Sequence, residues 1–202
     1  MKKFDESKHP RDKEGKFTNK NTSSLSVVAT KEKESTQYSE KVRKYKNNLV
    51  LQQDVKEFKE QIDLMQQNKI PSWNAIRVRS KTPQVLIDIG LDDLPMLITQ
   101  RHLKNNLESE NDDHAIDEEV LLQIPFALEN PEYILKSKTR DNSVVVVTSL
   151  LNKNEDPIVL SIEKDGSGNF NGIIIKSNFI TSIYGRGKIN KFVNSSEILY
   201  KK

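Results

Sequence analysis

The sequence predicts an α+β fold in which N-terminal helices pack on a mostly antiparallel sheet of four to five strands. Two patterns support this prediction. Residues 38–69 have the apolar spacing of a long amphipathic helix, and residues 133–200 contain Val-, Ile- and Thr-rich runs separated by turn residues. Helices that precede a series of strands are typical of α+β domains. A polar arm, which we expect to be disordered, comes first.

The arm covers residues 1–37. It is rich in Lys, Asp, Glu, Ser, Thr and Asn and has few large apolar side chains. Such a segment cannot bury enough apolar surface to offset the entropy that ordering costs. We therefore predict that the folded part of the chain begins at the helix of residues 38–69.

The helix of residues 38–69 carries one apolar stripe. Its members recur at steps of four and three: Leu51, Val55, Phe58, Ile62 and Met65. A helix with one apolar stripe must bury it, either on the C-terminal domain or in a homo-oligomer. The sequence leaves both alternatives open. Residues 70–81 are predicted to be a connector that contains a short strand.

Local signals place the later elements. Thr99 is a predicted N-cap for a helix that ends at Leu107, and Asp117 caps a second helix that Pro125 shortens. A short helix is expected within residues 187–194. The predicted strands are Tyr133 to Lys138, Ser143 to Leu151, Pro157 to Lys164, Ile173 to Tyr184 and Glu197 to Tyr200.

Charge and composition exclude several classes of protein. Residues 81–202 contain 14 Lys and Arg against 18 Asp and Glu, which leaves 18 against 11 for residues 1–80. A uniformly basic nucleic-acid binder is excluded, so phosphate affinity would come from the arm or from a local patch. The chain has no cysteine, which excludes disulfides and thiolate metal sites. It has no apolar run long enough to span a bilayer, so no membrane partner is expected.

Several segments of residues 82–202 occur in a distinctive order. They are Thr82-Pro83, Leu94-Pro95, Ile98 to Lys104, Lys136 to Thr139, Ser143 to Val147, Pro157 to Val159, Asn178 to Gly185 and Leu199-Tyr200. In this order they resemble the phage MuF C-terminal domain. The resemblance implies the fold of the barnase, EndoU, colicin-type and RelE-like ribonucleases, known as BECR. It also implies RNA cleavage without a metal ion or another cofactor.

Three kinds of group are needed for such cleavage: a base for the 2′-OH, an acid for the leaving oxygen, and donors for the phosphate. His102 is a candidate acid or base, with Arg101 and Lys104 beside it as phosphate contacts. The alternative is an ordinary surface helix with a half-buried histidine. His114 follows a carboxylate-rich loop that favours its protonated form, which suits a general acid.

The strand that ends near residue 185 supplies further candidates. Ser182 and Tyr184 share one face because side chains alternate along a strand, and Arg186 follows them. These groups could hold a phosphate, and Tyr184 is a third catalytic candidate. Equally, Tyr184 could simply pack on the sheet. Lys136 could add a phosphate contact or protect a strand edge.

No metal site is predicted, because His9, His102 and His114 lack the spacing of metal ligands. Two functional hypotheses remain. The first is a phage- or mobile-element-encoded, toxin-like ribonuclease. The second is a non-catalytic minor virion protein that binds DNA through the basic arm. An inhibitor or adaptor that uses the helix of residues 38–69 is a third interpretation.

The expected partners and location follow from these hypotheses. RNA, or alternatively DNA, is the expected nucleic acid. Phage head proteins or an immunity protein are further candidates. The protein is expected in the virion, in the cytoplasm of the host bacterium, or in both.

Overall fold

The computed structural model describes residues 48–109 and 114–202. The predicted arm, residues 38–47 of the predicted helix, and residues 110–113 of the acidic loop lie outside the described residues. The chain divides into two units, Met1–Asn48 and Leu49–Lys202. The fold described below belongs to the second unit.

Helices come first in this unit and strands dominate its second half. The described part of the first helix, α1, spans residues 48–66. The next elements are β1 (Ala75–Arg79), α2 (Gln84–Ile87), β2 (Met96–Thr99), α3 (Gln100–Glu108), α4 (Glu118–Leu121) and α5 (Ile124–Ala127). They are followed by β3 (Tyr133–Lys136), β4 (Ser143–Leu151), β5 (Pro157–Phe170), β6 (Ile173–Gly185), α6 (Ile189–Asn194) and β7 (Ile198–Lys201). The predicted α+β class is confirmed.

The strands form one mixed sheet in the order β1-β2-β6-β5-β4-β3-β7. Neighbouring strands are antiparallel except β2 and β6, which are parallel. The described sheet has seven strands, so the predicted count of four to five was wrong. The count missed β2 and treated β1 as part of a connector. Both are short and nearly continuously buried, so they lack the alternation of apolar and polar residues that marks a half-exposed strand.

The apolar stripe of α1 packs on this sheet. Phe58, Ile62 and Met65 are fully buried in one cluster with sheet residues that include Ile76 and Ile98. These three members of the stripe, and Leu51, which is also buried, are thus covered within the chain. Self-association through the helix of residues 38–69 stays a prediction.

The outer edge of β1 is covered by a side chain of α1. Gln61 accepts a hydrogen bond from the backbone N–H of Arg77 at 2.9 Å and donates to the Arg77 carbonyl at 3.3 Å. The amide thereby replaces a neighbouring strand at one position. Such cover hinders an edge strand from pairing with another chain.

A buried ion pair connects β1 with two helices. The Arg79 guanidinium donates to Asp54 of α1 at 3.0 Å, to the Pro125 carbonyl at 2.9 Å and to Glu129 at 2.6 Å. Asp54 also accepts the Ser80 backbone N–H at 3.0 Å. Because both side chains of the Arg79–Asp54 pair are buried, removal of one partner would leave an uncompensated charge in the core.

The second face of the sheet is covered in part by α6. Its Val193 is buried with Leu135 of β3, Val145 of β4 and Val159 of β5. The chain that follows β6 therefore folds back across the sheet. None of the described helices is long and apolar enough to span a membrane.

The burial of α1 can be tested with two substitutions on one helix. Ile62→Ala removes a side chain that is fully buried, and it should lower the free energy of unfolding by about 2–5 kcal/mol. Leu64→Ala is the control because Leu64 is 38% exposed, and it should cost about 1 kcal/mol or less. Urea denaturation measures both. Equal losses, or a change in molecular size with Ile62→Ala, would contradict the docking of α1 on the sheet.

Candidate functional site

The candidate site lies where β2 and β6 part. β2 pairs with β6 only from Met96 to Ile98, opposite Asn178 to Ile180, and then turns directly into α3. β6 continues to Gly185. The end of β6 therefore faces α3 and the segment after residue 113, with no intervening strand among the described residues.

Two adjoining cavities occupy this space. The first, of about 560 Å³, lies against α3, and the second, of about 630 Å³, lies at the end of β6. Because His114 and Ser182 line both, we treat them as one groove, called the histidine groove below. Six residues singled out from the sequence line it: His102, Lys104, His114, Ser182, Tyr184 and Arg186.

His102 is positioned by the residue that caps its helix. The Thr99 hydroxyl accepts the backbone N–H of His102 at 3.1 Å, which confirms Thr99 as the predicted N-cap of α3. The same hydroxyl lies 3.0 Å from Nδ1 of the His102 ring. One side chain therefore fixes both the start of α3 and the orientation of the imidazole.

The environment of His102 favours its neutral form. Burial lowers the pKa of the ring below its ordinary value of 6.5, and the positive charge of Arg101 lowers it further. The neutral form of His102 is therefore favoured near pH 7.

Asn106 connects the three walls of the groove. Its buried side-chain amide donates to the His114 carbonyl at 3.0 Å and to the Ile183 carbonyl of β6 at 2.8 Å. The backbone carbonyl of Asn106 accepts the Ile116 backbone N–H at 2.9 Å. The sequence interpretation did not single out Asn106. The available signal was its place on the apolar side of α3, three residues after Leu103.

His114 and Tyr184 lie opposite each other in the middle of the groove. Their ring centroids are 6.2 Å apart, with the planes tilted by 53°. His114 is exposed, whereas Tyr184 is half-buried and packs against the apolar cluster on the second face of the sheet. Tyr184 thus packs on the sheet and also lines the groove, and its catalytic role stays a prediction.

The far end of the groove is basic. The Arg186 guanidinium stacks over the Phe192 ring, 4.7 Å from its centroid, and Lys188 lines the same cavity. Two carboxylates that the sequence interpretation did not include also line the groove. They are Asp156 at this end and Glu108 on α3.

Two predicted phosphate contacts do not line these cavities. Arg101 is exposed on α3 and acts on the site through its charge beside His102. Lys136 lies on β3, which β5 and β4 separate from β6, and its ammonium is 3.3 Å from the Glu197 carboxylate. The structure therefore does not bring Lys136 to the groove, because the strand order places it near the opposite edge of the sheet.

The structure describes the side chains of residues 48–109 and 114–202. In these ranges no three His, Cys, Asp or Glu side chains are grouped so that they could hold a metal ion.

Comparison with known proteins supports one family. Residues 105–202 match the family model described as the phage MuF C-terminal domain, which confirms the resemblance. The matched region includes His114, Ser182, Tyr184 and Arg186 and begins after His102 and Lys104. The search of curated proteins and the search of solved structures found no match.

The lowered pKa of His102 can be measured by NMR titration of its ring. The midpoint should lie below 6.5 because burial and Arg101 both disfavour the protonated ring. Arg101→Gln removes the smaller of these causes, so the pKa should rise but stay below the ordinary value. Arg140→Gln, in the turn before β4, is the matched control and should leave the titration unchanged. A midpoint at or above 6.5 in the unaltered chain would show that the ring is solvated.

Proposed function

We propose that this chain is a phage- or mobile-element-encoded ribonuclease that cleaves RNA without a metal ion, on the premise that residues 105–202 match the phage MuF C-terminal domain. The observation that carries the proposal is the histidine groove. It gathers imidazole, phenol, hydroxyl and cationic side chains from separate elements. A largely antiparallel sheet with helices packed on it also fits the BECR-type fold that the resemblance implies.

The proposed reaction is attack of a ribose 2′-OH on the adjacent phosphate. A base removes the hydroxyl proton, the P–O5′ bond breaks, an acid protonates the leaving oxygen, and a 2′,3′-cyclic phosphate remains. We assign His102, His114 and Tyr184 as catalytic groups. Lys104, Ser182 and Arg186 are the proposed phosphate contacts. Asp156 and Glu108 are further groups that can accept a proton.

Local charge supports binding of a polyanion in this position. Lys104, Arg186 and Lys188 line the groove against the two carboxylates of Glu108 and Asp156. The surrounding residues 81–202 carry an excess of acidic side chains. Attraction of phosphate therefore depends on the groove itself, and it should weaken with salt because exposed charges are screened.

A second candidate is a non-catalytic virion protein that binds DNA. The basic excess of residues 1–80 favours it, because segments rich in Lys and Arg bind phosphates without sequence preference. Phage head proteins would then be the natural partners. An immunity protein belongs instead to the ribonuclease proposal, because an active enzyme should arrest its host unless an inhibitor is present.

The decisive experiment incubates the full chain with end-labelled RNA in EDTA. We expect cleavage products that end in 2′,3′-cyclic phosphate, and we expect DNA of the same sequence to stay intact because it lacks the attacking hydroxyl. His114→Ala should lower the rate roughly 100- to 10,000-fold. His9→Ala removes a histidine of the arm and is the control. A requirement for magnesium, or DNA binding without RNA cleavage, would favour other functions.

A further inference from the structure

The two contacts between Thr99 and His102 restrict where protons can lie. A hydroxyl group has one hydrogen to donate and two lone pairs that accept. The backbone N–H of His102 can only donate, so it occupies one lone pair of the Thr99 oxygen at 3.1 Å. The second contact, 3.0 Å from that oxygen to Nδ1, must use the hydroxyl hydrogen or the other lone pair.

These two hydrogen-bond arrangements differ in which hydrogen is left without an acceptor. If Nδ1–H donates to Thr99, the hydroxyl hydrogen has no acceptor among the described residues. If the hydroxyl donates to Nδ1, the hydroxyl hydrogen has a partner, and the remaining N–H of the ring lies on Nε2, with no acceptor among the described residues. A half-buried cap hydroxyl without an acceptor is disfavoured, whereas a ring N–H in the groove can bond to water or to a ligand. The second arrangement places the single ring hydrogen of His102 on Nε2.

A doubly protonated ring is the third arrangement, and it is disfavoured. Burial and the neighbouring Arg101 charge lower the pKa of His102, so the ring carries one hydrogen near pH 7. The ring lines the groove together with Lys104 and Ser182. A hydrogen on Nε2 would add a third hydrogen-bond donor to the groove, beside the Lys104 ammonium and the Ser182 hydroxyl.

We propose that Thr99 is a positioning residue that holds His102 as the neutral Nε2–H tautomer, so that the ring presents a hydrogen-bond donor to the groove. That the Nε2–H of His102 donates to a phosphate oxygen rests on the proposed ribonuclease function. His102 then stabilises charge that develops on the phosphate. Proton transfer is left to His114, Tyr184 or the groove carboxylates.

The tautomer is testable without any activity. Long-range proton–nitrogen NMR correlations of the His102 ring, in the full chain at pH 7.5, should show a protonated Nε2 and an unprotonated Nδ1. Thr99→Ser keeps a hydroxyl and should preserve this pattern. Thr99→Asp keeps a good helix cap but can only accept, so it should move a hydrogen onto Nδ1. A wild-type ring protonated on Nδ1 would overturn the proposal.

Two substitutions of His102 test the donor role in RNA cleavage. His102→Ala removes the donor and should lower kcat roughly 100- to 1,000-fold. His102→Gln keeps an N–H donor near the position of Nε2 but cannot transfer a proton, so it should recover at least about tenfold of that loss. Equal activity of the two variants would overturn the donor role. If the wild-type chain cuts no RNA, the phosphate role falls with the proposed function, and the NMR experiment alone decides the tautomer.

Discussion

The side-chain amide of Asn106 holds together the elements that form the histidine groove. It connects α3 with the segment at His114 and with Ile183 of β6. A buried amide that lost these acceptors would cost about 1–3 kcal/mol, so α3 is held at one distance from the end of β6. His102 precedes Asn106 by one helical turn, and Ser182 precedes Ile183. The spacing of the groove residues thus follows from two hydrogen bonds.

The position of α3 depends in turn on elements far from the groove. α3 begins directly after β2, and β2 lies between β1 and β6. β1 is held by α1 through Gln61 and through the buried Arg79–Asp54 pair. The groove therefore rests on a packed scaffold that includes α1. Loss of the α1 packing should disturb the groove although no α1 residue lines it.

Structural features that depend on a few neighbouring residues were predictable from the sequence. The Thr99 cap and the shared face of Ser182 and Tyr184 are local, and β4 was predicted with its observed ends. Asn106 was not predictable in this way, because its acceptor Ile183 lies 77 residues further along the chain. The position of Lys136 was not predictable for the same reason, because the order of β3 to β6 in the sheet decides its distance from the groove. Pairings between distant segments carry that information, and composition or periodicity does not.

The two histidines of the groove differ in their burial and in their hydrogen bonds, although their side chains are identical. His102 is half-buried, bonded to the cap of its own helix, and held neutral by burial and by Arg101. His114 is exposed and faces the Tyr184 ring. A ring fixed through Nδ1 is suited to one directed hydrogen bond. The difference between the two histidines therefore follows from burial and from the cap, and the chemical identity of the residues alone would not reveal it.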